Sequence, residues 1–166
     1  MKNYGNKAAM AAITAALYAV LTLALAPISY GPVQCRISEA LNLLAFFDPM
    51  YAVGVTLGCL ISNLYSPFGV MDIVFGTLAT GLAAFAITRT KNSLFLASLW
   101  PTASMVIVAA EVSYASGVPF GMPYVYNILQ FMAGEFIAVS VIGYALFRIL
   151  LMNRTIRAFL KYGPSK

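Results

Sequence analysis

The sequence predicts an all-α, polytopic membrane protein, a bundle of six transmembrane helices, and two observations carry that prediction. Of its 166 residues, 61% are hydrophobic and only 9% are charged, with no histidine; soluble domains carry about 25% charged residues. Several apolar stretches also approach or exceed the roughly 18 residues that mark a membrane-spanning helix. No linker or soluble appendage interrupts them, so residues 1–166 read as a single transmembrane domain. The formal net charge of +5 reflects the basic bias of cytoplasmic loops rather than affinity for nucleic acid.

The first span covers about residues 7–27 and is expected to stop at Pro27, which does not continue a helix comfortably. It is long, lacks a small-residue cleavage site and is followed by further spans, so it reads as a retained helix, not a signal peptide. The second, 37–48, ends at the turn Asp48-Pro49. The third, 50–65, ends in the polar and proline-glycine break "NLYSPFG". The fourth, 70–88, ends in the charged "TRTKN". The fifth, 93–112, contains Pro101 and is expected to kink there. After the loop "SYASGVPFGMP" the sixth runs over 124–152.

The second and third spans are short, and charge placement decides whether they cross twice. With the amino terminus in the cytoplasm, six spans put both termini inside and leave nine of the ten basic residues at that face. One bent span over 37–64 would move Arg89, Lys91 and the basic tail outside, against the positive-inside rule. Residues 37–64 are therefore expected to form a short hairpin shielded by its neighbours. Arg36 is the one basic residue left on the outer side, three residues before Glu39.

This topology assigns a depth to every polar residue. Glu39 opens the second span, Asn63 closes the third, Asp72 opens the fourth, Glu111 closes the fifth, and Asn127 and Gln130 open the sixth, all at the outer face. Glu135 lies about 12 Å deeper than Asn127 at 1.5 Å per residue. Only Asp48 sits on the cytoplasmic side. Ionisable groups in a membrane are costly and normally face a partner, a cavity or a substrate path. Ser38 with Glu39, Asp72 and Asn63 also have a plain reading as helix-end residues. Glu111 lies at a helix C-terminus, where a carboxylate meets the dipole with the wrong sign. Glu135 serves no terminus, which leaves Arg36 or a ligand as its partner. Four carboxyl groups against one guanidinium favour a cationic or donor-rich ligand. Tyr30, Tyr65, Phe68, Tyr114, Phe120, Tyr124 and Tyr126 share this half, either as stacking surfaces or as an interfacial belt.

The first span carries two small-residue stripes, Ala8, Ala12 and Ala16 beside Ala11, Ala15 and Ala19. The third carries Gly54, Gly58 and Ser62. Such spacing lets helices approach closely in lipid; it serves internal packing or a partner. What is absent narrows the chemistry. No phosphate-cradling glycine loop with lysine is present. Without histidine, neither a serine–histidine nor a cysteine–histidine nucleophile can form, and no metal cluster is visible. Cys35 and Cys59 have neither metal nor redox spacing. Binding or transport is expected, not catalysis.

The segments "YGPVQCRISEALNLLAFF" and "LGCLISNLYSPFGVMDIVFGTLAT", with the alanine-rich first helix, resemble the QueT family, the substrate-binding S components of energy-coupling factor (ECF) transporters that import micronutrients. The resemblance covers nearly the whole chain. It implies a six-helix S-component fold in the bacterial cell membrane, with an outward pocket capped by the loop after the first helix. It implies a queuosine precursor as ligand, 7-aminomethyl-7-deazaguanine (pre-queuosine 1) first among them. It also implies partners: the transmembrane coupling protein EcfT, which Ala8, Ala12 and Ala16 would meet, and two ATPase subunits. The chain itself would take no cofactor, ATP being used by those subunits.

That ligand suits the residues. A deazaguanine offers N–H donors that a carboxylate accepts in bidentate fashion. Its ammonium arm asks for a second carboxylate, and its O6 for a donor such as Arg36, Asn63, Asn127 or Gln130. Arg36 and Glu39 are expected at the pocket mouth. Queuine, pre-queuosine 0 or another flat vitamin are the alternatives on the same fold. A small channel or membrane assembly protein is the alternative outside it, weakened by the apolar inner halves of the helices.

Overall fold

The computed structural model describes residues 2–31 and 34–162, and among them there is no strand. The chain runs through α1 (Lys2–Ala24), the four-residue α2 (Ala26–Ser29), a short 3-10 helix (Ile37–Phe46) and α3 (Pro49–Asn63). It continues through α4 (Asp72–Arg89), α5 (Leu94–Ala115), α6 (Met122–Leu150) and the terminal α7 (Arg154–Tyr162). Four of these helices, α1, α4, α5 and α6, are long and apolar enough to cross a bilayer. The short helix and α3 are apolar but shorter. At about 2.0 Å per residue the former covers roughly 20 Å, and at 1.5 Å per residue the latter covers roughly 22 Å, against about 30 Å of hydrocarbon.

The short helix survives in this setting because protein surrounds it. It touches α1, α3, α4, α5 and α6, and Ser38, Glu39, Ala40, Asn42, Leu43 and Ala45 are buried. A helix shorter than the hydrocarbon is accommodated where protein, not lipid, covers it. One contact shows how tight the fit is. A Cβ built on Gly143 of α6 would lie 2.9 Å from the Ala40 Cβ. Asp48 caps the start of α3, its side chain accepting from the Met50 N–H at 2.8 Å.

The two alanine stripes of α1 separate by face. Ala11, Ala15 and Ala19 are buried, whereas Ala8, Ala12 and Ala16 are exposed. The buried stripe meets the glycines of α3. A Cβ on Gly54 would fall 2.7 Å from the Ala11 carbonyl oxygen, and one on Gly58 would fall 2.6 Å from the Tyr18 Cβ. Van der Waals packing of small residues is what joins helices in lipid, and here it fixes α1 to α3. A buried serine pair joins α5 to α6, with Ser98 Oγ 3.1 Å from Ser140 Oγ.

Pro27 departs from the expected role. α1 ends at Ala24 and Pro27 sits in the first turn of α2, where a missing N–H costs nothing. Pro101 is taken into a helix that continues to Ala115, and the Ser104 hydroxyl donates to its carbonyl at 2.8 Å. Two helices contain π-type turns, Asp72–Gly76 at the head of α4 and Phe136–Gly143 within α6. Such turns occur often at functional sites, and here one begins at Asp72 and the other directly follows Glu135.

Candidate functional site

Six chain segments end or begin at one end of the bundle: α2, the head of the short helix, the end of α3, the head of α4, the end of α5 and the head of α6. At this polar end the sequence-predicted residues meet. Arg36 is only 2% exposed, and its guanidinium pairs with Asp72 Oδ2 at 2.9 Å. It also donates to Asn63 Oδ1 at 3.1 Å and to the Ser29 carbonyl at 3.3 Å. Asn63 in turn donates to the Asp72 carbonyl at 2.9 Å. Gly76 makes room for this cluster, since a Cβ there would sit 2.9 Å from Asn63 Nδ2 and would collide with the Asp72 carboxylate. Tyr30 lies against Arg36, its ring centroid 5.2 Å from the guanidinium carbon, and its hydroxyl donates to the Ser62 carbonyl at 2.7 Å.

Glu39 forms a second cluster one helical step deeper. It accepts from the Tyr18 hydroxyl, from the Asn42 amide and from Thr80 Oγ1, the last at 3.0 Å. Ser38 shares a hydrogen bond with Thr22 at 2.6 Å rather than capping its own helix. The 3-10 winding explains the alignment. With three residues per turn, side chains at i and i+3 eclipse, so Arg36, Glu39 and Asn42 stand in one row. In an α-helix the same three would fan apart.

The expectation that Arg36 and Glu39 hang at the mouth is corrected: both are buried, at 2% and 3% exposure. Asp72 likewise does not cap α4 with its side chain, and Asn63 lies inside the last turn of α3. The reason is the same in each case. A buried guanidinium needs anions and acceptors around it, and these residues supply them.

Glu111 and Glu135 are different. Both are buried, and neither carboxyl oxygen of either has a hydrogen-bond partner. Glu111 stands within electrostatic reach of Asp72 and Arg36, and Glu135 within reach of Glu39 and Arg36. Cys35, in the loop before the short helix, has its thiol pushed up by burial and then by the nearby Glu135. Asp72 Oδ1 and Asn42 Oδ1 are also unpartnered. Buried polar groups are nearly always satisfied, so this concentration of free acceptors makes the polar end the candidate binding site.

Asn127 and Gln130 lie outside that cluster. They line a cleft of about 310 Å³ together with Tyr30, Gly31, Phe68 and Phe131. Asn127 donates to Ser113 Oγ at 3.3 Å. Tyr30 belongs to both places, lining the cleft and lying over Arg36. Most of the other aromatic residues face outward: Tyr65, Tyr114, Phe120 and Tyr126 are all exposed, as an interfacial belt is.

Sequence reasoning missed Gln34. It is fully buried, both of its side-chain amide atoms lack partners, and its backbone takes the left-handed conformation at φ 45°. That conformation is uncommon outside glycine and asparagine, and strain of this kind collects at ligand clamps. Tyr18, Asn42 and Thr80 were missed as well. Within apolar helices they look like ordinary polar interruptions, and only their long-range partner Glu39 reveals them.

A helical bundle that gathers four buried acids around one arginine at one end, with four helices long enough to cross a bilayer, is a multi-pass membrane protein. Residues 8–152 match the family model described as the QueT transporter, and the chain belongs to that family. It is thereby a transporter and not an enzyme. Among curated proteins it is similar to the "Queuosine precursor transporter QueT" of Lactococcus lactis subsp. cremoris (strain MG1363). The two are 38% identical over 125 residues, covering 66% of this chain and 73% of the relative. No solved structure matches the chain.

Proposed function

We propose that this chain is the membrane-embedded substrate-binding subunit of an ECF-type importer, and that it captures 7-aminomethyl-7-deazaguanine at its polar end. The observation that carries this reading is the set of free, buried carboxyl oxygens on Glu111, Glu135 and Asp72 around a single guanidinium. The ligand's chemistry is complementary to it. A carboxylate accepts the paired N–H donors of the guanine edge, and a second carboxylate meets the ammonium arm. Gln34, whose buried amide N–H has no partner, suits the O6 acceptor. Arg36 and Asn63 hold Asp72 in place. Glu39, already engaged by Tyr18, Asn42 and Thr80, orders the residues around the site, and Asn127 and Gln130 line the approach.

The remaining parts of the proposal follow the family. Six crossings, the short helix and α3 forming the hairpin, would put both termini in the cytoplasm and the polar end outside. The exposed stripe Ala8, Ala12 and Ala16 is smooth enough for close helix approach and would dock the coupling protein EcfT. Two ATPase subunits would supply the free energy for release inside.

Calorimetry on the purified protein in detergent tests the ligand. Pre-queuosine 1 is expected to bind tightest, pre-queuosine 0, with a nitrile in place of the ammonium, more weakly, and guanine least. Glu111→Gln and Glu135→Gln should each weaken pre-queuosine 1 by roughly tenfold to a hundredfold, the range for a hydrogen bond to a charged group. Well-folded protein that binds none of these compounds would overturn the reading. Ala12→Leu tests the partner: it should abolish co-purification with the coupling protein and leave the titration unchanged.

A further inference from the structure

A large cavity lies at the opposite, basic end of the bundle. It is a furrow of about 980 Å³ between the short hairpin and α4. Its walls are apolar, with Val53 and Leu57 of α3 and Phe85 of α4 each about half exposed, and Phe46 forms part of the floor. Its rim carries Thr88, Arg89 and Lys91. The furrow exists because the hairpin turns back early, while α4 continues beside it as one 18-residue membrane-length helix. A span shorter than the hydrocarbon leaves a mismatch that must be filled.

From these features we infer that the furrow is a binding site for one anionic phospholipid, with its phosphate at Arg89 and Lys91 and an acyl chain along the α3–α4 seam. Charge complementarity is the first argument. Arg89 is laid over the Phe85 ring, 4.9 Å from its centroid, which holds the guanidinium at the furrow's rim. Asp48, the acid in the adjoining turn, has a carboxyl oxygen occupied by capping α3. Basic pockets between membrane helices are recognised sites for anionic headgroups.

The second argument is the path available to a chain. A further cleft of about 380 Å³ continues the furrow along the same seam and shares Thr56 and Gly81 with it. Gly81 keeps the two connected. Even a Cβ there would come within 3.3 Å of the Thr56 methyl. The third argument is depth. The Trp100 indole donates to Thr90 Oγ1 at 2.9 Å, directly beside Arg89 and Lys91, and tryptophan marks the headgroup level of a bilayer.

Native mass spectrometry of the full chain, released from detergent with added phosphatidylglycerol or phosphatidylcholine, tests this. One phosphatidylglycerol should be retained in preference to phosphatidylcholine. Arg89→Gln with Lys91→Gln should weaken that retention roughly thirtyfold, from the usual contribution of two basic residues at a membrane surface. Gly81→Leu, which fills the seam and leaves the charges in place, should also reduce it. Equal retention of the two lipids would overturn the inference. So would retention that survives both variants, or that is lost only with Arg148→Gln and Arg157→Gln, two residues of a separate cleft on the other side of Phe46 and Phe47.

Discussion

Removing Arg36 should damage this protein more than removing Asp72, although the two form one ion pair. Breaking a buried pair by deleting one partner costs about 3–5 kcal/mol, because the other charge stays buried. The two deletions leave different residues behind. Asp72→Asn leaves Arg36 with Asn63, the Ser29 carbonyl and the nearby Glu39, Glu111 and Glu135. Arg36→Gln leaves four carboxyl groups with no cation among them and also removes the bonds to Asn63 and Ser29. Asp72→Asn is therefore expected near the lower limit of that range and Arg36→Gln near the upper. At about 2–4 °C per kcal/mol for a chain of this size, the shifts in detergent are roughly 10 °C and 15 °C. The double variant, which buries no unpaired charge at this pair, should be more stable than the sum of the singles by at least about 2 kcal/mol. Thermal unfolding of all four proteins in one detergent measures this. Singles that cost under about 1 kcal/mol, or strict additivity in the double, would refute the reasoning.

Three further outcomes are expected. Gln34→Ala should lower ligand affinity roughly tenfold or more and leave the melting temperature unchanged or raised, because it removes two unsatisfied buried atoms; calorimetry and thermal unfolding read the two effects separately. Gly58→Ala should cost about 1–3 kcal/mol by forcing α1 away from α3, seen as a lower melting temperature, and a neutral result would contradict the close approach. Gly76→Ala should displace the Asp72 carboxylate from Arg36 and so weaken ligand titration more than Gly81→Ala, whose Cβ meets only the flexible Thr56 side chain.

The acids of the polar end were readable in the sequence because charge in an apolar chain is scarce, and topology alone sends Glu39, Asp72 and Glu111 to the same end. Their partners were not readable. Tyr18 and Thr80 reach Glu39 from 21 and 41 residues away, and nothing local to either distinguishes them from other hydroxyls in helices. The alanine stripes show the same division. Both repeat every four residues, so spacing names two faces but not which is covered. That depends on where Gly54 and Gly58 fall on a different helix. The hairpin was legible as short from its apolar length, while its 3-10 winding depends on the neighbours that enclose it.

That winding makes the length of residues 37–46 as constrained as their chemistry. Each residue of a 3-10 helix turns the chain by a third of a circle. Deleting or inserting one residue between Arg36 and Glu39 would rotate Glu39 and Asn42 out of line with Arg36. Tyr18 and Thr80 would then lose the carboxylate they donate to. Point substitutions can change this polar end one contact at a time, but a change of length in the segment disconnects its two clusters in a single step. The polar end is therefore open to exchange of side chains and closed to insertion.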